Sequence, residues 1–253
     1  MSNNLLSRSI RVISNEEFTS FFRKAVYPVA RPILIPYFIH KLRRETTKIS
    51  KLEDLVSFVF NFKIDGLNII PSQIKEEILK LLKILEKIKP KTILEIGTAN
   101  GGTLFLFSQI ASPDAIIISI DLPGGKFGGG YPMWKVPLYK SFAKDNQKIY
   151  LIRADSHDEK TLRKVKNILG NKKLDFLFID GDHSYEGVKK DFEMYSKLVK
   201  RKRVIALHDI VHHPFVPECQ VDKFWKEIKK IYRTREIILS SNQTWAGIGL
   251  IFT

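Results

Sequence analysis

The stretch that decides the fold is Leu174–Tyr185, which reads LDFLFIDGDHSY. Its first six residues form a largely apolar, β-rich run, and an amphipathic helical pattern begins where the stretch ends. In open α/β sheets, ligands bind outside the carboxyl ends of the strands, so we expect Asp180 and His183 to face a crevice. Asp182 and Ser184, at the same junction, are interpreted as residues that cap the following helix.

Similar β-rich runs alternate with helix-length segments along the chain, which predicts an α/β fold with crossover units and a mostly parallel sheet. The five runs of this kind are Thr92–Ile96, Ala115–Ile120, Ile149–Arg153, Leu174–Ile179 and Val204–Leu207. Two final runs, Glu236–Leu239 and Gly247–Phe252, are separated only by Ser240–Ala246, so they are predicted to form an antiparallel hairpin. Before the sheet, helices are predicted over Lys51–Phe62 and over a stretch that has Pro71 in its first turn, apolar residues at helical spacing from Ile74 to Ile88, and its end at Pro90.

The size of the chain allows a full hydrophobic core, because 44% of its 253 residues are hydrophobic. We predict two parts: a basic, partly apolar N-terminal arm with helical segments at 1–70, and a catalytic domain at 71–253. Cys219 is the only cysteine, so an intrachain disulfide is impossible and nothing argues for an oxidising compartment. The predicted location is therefore the cytoplasm.

A net charge of +15 is typical of proteins that bind nucleic acid or anionic lipid, so the distribution of the charge along the chain matters. Residues 1–51 hold ten Lys and Arg against three Asp and Glu, which gives +7. The positive density is thus highest in the arm, outside the catalytic motifs, and the sequence shows no basic, aromatic platform of the kind that binds single-stranded nucleic acids. We therefore expect no nucleic-acid substrate.

The segment Ala25–Ile39, AVYPVARPILIPYFI, raises the question of a membrane. It is shorter than the roughly 20 residues of a spanning helix, and Pro28, Pro32 and Pro36 would each interrupt such a helix. Two interpretations stay open. The favoured one is an extended strap packed on the catalytic domain; the other is an interfacial anchor in which basic residues of 23–44 contact anionic headgroups.

The first predicted strand ends in a glycine-containing turn, EIGTANGG, which is followed by an apolar helix. Such a turn lets the backbone approach a ligand, and the helix N-terminus favours a carboxylate or phosphate. Ala99 stands where a dinucleotide-binding turn has its middle glycine, which disfavours NAD. The candidate cofactor-binding residues of this turn are Glu95, Gly97, Thr98, Asn100, Gly101 and Gly102.

Acidic residues also end the next strands. Asp121 is placed to accept hydrogen bonds from ribose hydroxyls, and Asp155, followed by Ser156, from the exocyclic amine of adenine. With Glu95 and Asp180 they give four acids at four consecutive strand ends, which repel a pyrophosphate and suit a cationic ligand. S-adenosylmethionine, with its sulfonium, ammonium and adenosine, meets that demand.

Five motifs between Ile93 and Ile210 resemble the class I S-adenosylmethionine-dependent methyltransferases: LEIGTANGG, SIDLPGG, RADSHD, FLFIDGDHSYEGVKKDF and ALHDI. The resemblance is to the small-molecule O-methyltransferases that include the macrocin and mycinamicin sugar methyltransferases and the cephalosporin-hydroxylase-like proteins. It implies a Rossmann-like sheet of seven strands, mostly parallel with an antiparallel last strand, which agrees with the predicted terminal hairpin. It does not extend to residues 1–70.

The same resemblance implies chemical roles. In the sugar methyltransferases the acid at the position of Asp180 is a metal ligand, and the histidine three residues later, here His183, is the proposed base. His208 and Asp209, at the end of the fifth strand, would form the other half of a metal site. Two carboxylates suit magnesium, whereas His208 favours manganese, iron or zinc. The alternative is that Asp209 only orients the methionyl ammonium or a catalytic histidine through hydrogen bonds.

The segment Leu122–Trp134, LPGGKFGGGYPMW, holds five glycines just after a predicted strand. We interpret it as a mobile lid or an adaptable substrate loop, in which Tyr131 and Trp134 close over a sugar or aromatic acceptor. The alternative is a flexible surface turn.

The function predicted from the sequence is methyl transfer to a hydroxyl of a small-molecule or carbohydrate-containing acceptor. His183 is the predicted general base, and a divalent metal would stabilise the alkoxide that forms. An NAD-linked oxidoreductase is disfavoured by Ala99 and by the acidic crevice. A non-catalytic, membrane-associated binding module is disfavoured by the presence of Asp121, Asp155 and Asp180 together with His183. Homo-oligomer formation is left open.

Overall fold

The computed structural model describes residues 34–124 and 129–253. They belong to two compact units that divide between Glu45 and Thr46, and the predicted boundary at residue 70 stays a prediction. Residues from 34 onward are helical, and this helix, α1, ends at residue 46. The described end of the Ala25–Ile39 segment is thus helical, not extended, because no proline follows Pro36 to interrupt the backbone hydrogen bonds. Residues 25–33 lie outside the described part.

The second unit opens with two helices and a short hairpin: α2 (Leu52–Asn61), β1 (Lys63–Ile64), β2 (Leu67–Asn68) and α3 (Lys75–Ile88). The bounds of α2 agree with the prediction to within a residue, whereas α3 begins four residues after Pro71, which was predicted to lie in its first turn. In α3 the residues at helical spacing, Ile78, Leu81, Leu82 and Leu85, are buried, because an amphipathic helix covers its apolar stripe against the rest of the domain.

Seven strands form the main sheet. They are β3 (Thr92–Ile96), β4 (Ile116–Asp121), β5 (Lys148–Arg153), β6 (Leu174–Ile179), β7 (Val199–His208), β8 (Arg233–Ile237) and β9 (Ile248–Phe252). Their order is β5-β4-β3-β6-β7-β9-β8. The first five are parallel, whereas β9 runs antiparallel to both of its neighbours. The seven-stranded Rossmann-like sheet with an antiparallel last strand and a helical N-terminal region is therefore confirmed.

The edge strand β8 begins three residues before the predicted run Glu236–Leu239. Its sequence, RTREI, alternates exposed charged residues with few apolar ones. Edge strands carry such charges because they discourage pairing with other chains. The apolar residues therefore predict the end of this strand but not its start.

The crossover helices are α4 (Gly102–Ile110), α5 (Val136–Lys140), α6 (Glu159–Leu169), α7 (Tyr185–Tyr195) and α8 (Val221–Ile231). Strands β3, β4, β6 and β7 end in register, with Ile96 paired to both Ile120 and Ile179, and Ile179 paired to Leu207. The residues that follow these strands therefore meet at one edge of the sheet. Chain order reverses between β3 and β6, which is where open α/β sheets bind their ligands.

Among the described residues, no helix combines the length and the apolar character needed to cross a bilayer.

Candidate functional site

The turn after β3 lies directly against the turn after β6. The amide of Asp180 donates to the Ile96 carbonyl at 2.8 Å. Gly97 has φ +95°, and a Cβ on it would lie 2.0 Å from the Asp180 carbonyl oxygen. Position 97 therefore needs glycine for two reasons, its left-handed backbone and the close approach of a second backbone.

Asp121 organises the same edge through its backbone contacts. One carboxylate oxygen accepts hydrogen bonds from the amides of Thr98 (2.9 Å) and Ala99 (2.7 Å). The other accepts from Leu122 (2.8 Å) and Gly130 (2.9 Å). Burial raises the pKa of Asp121, and these four hydrogen bonds oppose that rise. A ribose hydroxyl would thus have to share oxygens that already hold the turn and the glycine-rich loop together.

Glu95 is fully buried beneath the turn. Its Oε2 accepts from the Ser119 hydroxyl at 2.6 Å, while its Oε1 has no hydrogen-bond partner among the described residues. Burial raises the pKa of this carboxyl to about 8. Burial therefore favours the protonated form of Glu95 at neutral pH.

This burial predicts a pH-dependent stability that Glu95→Gln should remove. Between pH 4.5, the ordinary pKa of the group, and about pH 8, the native state keeps a proton that the unfolded state releases. The free energy of unfolding of the wild type should therefore fall across this window, whereas that of Glu95→Gln should not. Relative to the wild type, the variant should become more stable by up to roughly 4 kcal/mol between the two pH values. Urea unfolding at pH 4.5 and pH 8 measures the gain; parallel pH profiles for the two proteins would refute it.

Two cavities open at the carboxyl edge of the sheet. The smaller, about 460 Å³, is lined by Asp155, Ser156 and Asp182 together with residues of the turns after β3 and β4. The larger, about 530 Å³, extends from the glycine turn to the end of β7. Residues that line both are Gly97, Asp121, Gly129 and Gly181. A ligand held in one cavity can therefore reach into the other.

The predicted site residues are distributed over these cavities. Those that line the larger one are Gly97, Thr98, Asn100, Gly102, Asp121, Asp180, His183, His208 and Asp209. Asp155 and Ser156 line the smaller one. Glu95 and Gly101 line neither, because Glu95 is buried and the ring of Tyr139 would lie 2.6 Å from a Cβ on Gly101.

Asp180, His183, His208 and Asp209 form one cluster in the larger cavity. His183 Nδ1 lies 2.8 Å from Asp209 Oδ2, and His183 Nε2 lies 3.6 Å from Asp180 Oδ1. His208 Nδ1 lies 2.9 Å from Asp180 Oδ1 and 3.4 Å from Asp209 Oδ2. Each imidazole thus stands between the two carboxylates that the sequence placed at neighbouring strand ends.

The charges of the cluster are strongly coupled. Burial lowers the pKa of His183, but the hydrogen bond to Asp209 and the nearby Asp180 carboxylate outweigh it and raise that pKa to about 10. The same two carboxylates raise the pKa of His208 despite its burial. Burial raises the pKa of Asp209, and the surrounding histidines lower it well below its usual range. In the absence of a cation, His183 is therefore an imidazolium at neutral pH.

The donor set fits a divalent cation. Asp180, His208 and Asp209 offer three ligand atoms within 4.8 Å of one another, and the buried His208 Nε2 has no hydrogen-bond partner among the described residues. His213 Nε2 accepts from the Ala246 amide at 3.0 Å and also lies 3.0 Å from Asp209 Oδ1. One imidazole nitrogen cannot both accept from the amide and donate to the carboxylate, so Asp209 Oδ1 can face a cation in place of a proton from His213.

Several lining residues were missed by the sequence reasoning. Gln73 donates from Nε2 to Asp180 Oδ2 at 2.5 Å. The larger cavity is also lined by Cys219, which is buried, and by Trp245, which is half-exposed. None of them follows a strand of the parallel sheet, so no pattern in the sequence connects them to this edge. A lone cysteine in the loop before α8 was the one available signal.

The aromatic residues of the glycine-rich loop lie elsewhere than the lid interpretation places them. Tyr131 is 1% exposed and packs edge-on against Tyr139, with ring centroids 4.9 Å apart. Trp134 is partly buried, and neither residue lines either cavity. Residues 125–128 of the loop lie outside the described part, so the lid stays a prediction.

Solved structures with the same fold include O-methyltransferases. That from Bacillus cereus, in complex with S-adenosylhomocysteine, is 16% identical with a TM-score of 0.54, over 90% of this chain and 97% of that one. The enzyme TomG from Streptomyces achromogenes, in complex with S-adenosylmethionine, is 16% identical with a TM-score of 0.52, over 81% of this chain and 91% of that one. At these identities the likeness establishes the fold.

Curated relatives match shorter parts of the chain. A protein of Sinorhizobium fredii is 26% identical over 153 residues, which are 58% of this chain and 16% of that protein. A protein of Acanthamoeba polyphaga mimivirus is 30% identical over 134 residues, 50% of this chain and 55% of that protein. The chain therefore spans about a sixth of one relative and about half of the other.

The sequence pattern of a family described as "Methyltransferase domain" matches residues 94–210. This range runs from β3 through the end of β7 and contains the predicted motifs from the glycine turn to Asp209. The narrower likeness to the macrocin and cephalosporin-hydroxylase-like group stays a prediction. Residues 94–210 therefore carry the sequence pattern of a methyltransferase domain, on a fold shared with the solved O-methyltransferases.

Proposed function

We propose that this chain transfers the methyl group of S-adenosylmethionine to a hydroxyl of a small-molecule or carbohydrate-containing acceptor, with His183 as the base. The observation that carries the proposal is the position of His183 in the larger cavity, between the carboxylates of Asp180 and Asp209. A hydroxyl acceptor must lose a proton during methyl transfer, and this imidazole stands where that proton can go.

The two cavities divide the substrates between them. We assign the adenosine to the smaller cavity, where Asp155 and Ser156 lie, and the methionyl end to the glycine turn that both cavities share. The acceptor then occupies the rest of the larger cavity, beside His183 and the half-exposed Trp245. Such an arrangement holds the two reactants in line, which accounts for much of the rate of a displacement reaction.

Asp209 orients the base. Its Oδ2 lies 2.8 Å from His183 Nδ1, so it holds the proton of the neutral imidazole on that nitrogen and leaves Nε2 to accept from the acceptor. We assign a divalent cation to Asp180, His208 and Asp209, which when bound supplies positive charge that stabilises the acceptor oxygen and favours the neutral imidazole. Magnesium, manganese, iron and zinc are the candidates.

The test is an assay with methyl-labelled S-adenosylmethionine and a panel of acceptors that differ in one group. Sugars and catechols with free hydroxyls are paired with analogues in which the hydroxyl is replaced by an amine or removed. We expect labelled product from hydroxyl-bearing members alone. Transfer to the amines alone would contradict O-methylation while leaving the methyltransferase assignment intact.

A further inference from the structure

We propose that His183, Asp209 and Cys219 form a second metal site, which binds an ion of the zinc class and shares only Asp209 with the set at Asp180, His208 and Asp209. The three residues each offer one ligand atom, and these atoms lie within 4.8 Å of one another. Zinc ligands lie at about 2.0–2.3 Å from the ion, so small side-chain rotations suffice to bring all three onto one ion. The proposal itself is independent of the proposed function; only its inhibitory consequence rests on it.

The backbone holds these ligands in place before any ion arrives. The amide of Gln220 donates to the His183 carbonyl at 2.7 Å, and the amide of Cys219 donates to the Val216 carbonyl at 2.9 Å. Asp209 has φ +60°, a left-handed conformation that is uncommon for a residue other than glycine and that concentrates at functional sites. The turn carrying Cys219 is thereby tied to the turn carrying His183.

The chemistry of the ligands selects the ion. Magnesium takes oxygen ligands in an octahedron, whereas a thiolate and an imidazole favour zinc and its neighbours in the first transition series. Cys219 is 5% exposed, and it lines the larger cavity together with His183 and Asp209. Three protein ligands with the cavity beside them are the arrangement of an open zinc site, in which a water or a small molecule takes the fourth position.

A metal ion bound at this site should inhibit methyl transfer. A metal on one nitrogen of His183 leaves the proton of the neutral imidazole on the other, so the ring can no longer accept a proton from a hydroxyl. The two metal sites also share Asp209, whose Oδ2 lies near both His183 Nδ1 and His208 Nδ1. An ion held by His183, Asp209 and Cys219 would therefore act as an inhibitor, and an ion held by Asp180, His208 and Asp209 as an activator.

Cobalt(II) is the probe that decides the proposal, because a cobalt–thiolate bond gives a near-ultraviolet charge-transfer band that nitrogen and oxygen ligands do not give. Cys219 is the only cysteine of the chain, so any such band comes from this residue. We expect one cobalt per chain with this band, loss of the band on addition of zinc, and no loss with magnesium. Cobalt bound without the band, or no cobalt bound, would overturn the proposal.

Two variants sharpen the measurement. Cys219→Ser should abolish the band and weaken cobalt binding at least about tenfold, whereas His212→Gln should keep both, since the His212 side chain is 67% exposed. If Cys219→Ser fails to fold, the wild-type spectrum still decides. Unchanged cobalt affinity in a folded Cys219→Ser protein would overturn the proposal.

The inhibitory consequence has its own readout. Zinc added to the magnesium-supported transfer assay should inhibit with the same midpoint at which it displaces the cobalt band. A band with no inhibition would overturn the regulatory consequence and leave the site. Failure of every acceptor to be methylated would refute the proposed function alone, because the cobalt spectrum does not depend on turnover.

Discussion

His183→Asn should lower the rate of methyl transfer by about 100- to 10,000-fold, the usual worth of a positioned general base. The affinity for S-adenosylmethionine should stay nearly unchanged, because the side chain of His183 contacts the carboxylates at the acceptor side of the larger cavity. Asparagine keeps a hydrogen-bonding group near Asp209, so that carboxylate retains a partner. The rate is measured with whichever hydroxyl acceptor of the panel gives the most labelled product.

The matched control is His212→Asn, a change of the same chemistry at an exposed histidine that lines neither cavity. It should leave the rate within a factor of about two, as surface substitutions generally do. A His183→Asn enzyme that kept more than a tenth of the wild-type rate would show that another group, or solvent, takes the proton.

Gly97→Ala should unfold the ligand site. Its Cβ would lie 2.0 Å from the Asp180 carbonyl oxygen, and its φ of +95° is costly for alanine. Strain at such a backbone costs about 1–3 kcal/mol, and the clash with a second backbone adds to it, so we expect a loss of about 3 kcal/mol or more in the free energy of unfolding. Chemical denaturation measures the loss, and S-adenosylmethionine binding should disappear with it.

Gly124→Ala is the control for this change. A Cβ on Gly124 meets no heavy atom of the described residues within 4 Å, and its φ lies outside the left-handed range. Its free energy of unfolding should therefore stay within about 0.5 kcal/mol of the wild type. Equal stabilities of the two variants would mean that the turns after β3 and β6 do not approach as closely as described.

The parallel strands could be predicted because each is a short apolar run that ends in a polar turn. Once β3, β4, β6 and β7 are parallel and in register, the residues that follow them must meet, which is why Asp180, His183 and Asp209 were expected together. The start of β8 was predicted three residues too late, because its charged residues do not form an apolar run. Gln73 and Trp245 reach the site from segments outside that repeat, so the sequence carries no sign of their approach.

The protonation states and hydrogen bonds of the site could not be predicted from the sequence either. A histidine after a strand predicts a base, but its pKa depends on distances to carboxylates that the fold alone sets. With Asp209 at 2.8 Å and Asp180 at 3.6 Å, the pKa of His183 is raised to about 10. In the same way, Asp121 was predicted as a ribose contact, and only the structure shows that its oxygens hold four backbone amides.

The central claim is that S-adenosylmethionine binds at the carboxyl edge of this sheet, and calorimetric titration of the purified chain tests it most directly. We expect one S-adenosylmethionine per chain, no binding of NADH, and weaker S-adenosylmethionine binding in Asp155→Asn, whose carboxylate we assign to the adenine amine. Binding of NADH, or the absence of any heat with S-adenosylmethionine or S-adenosylhomocysteine, would contradict it.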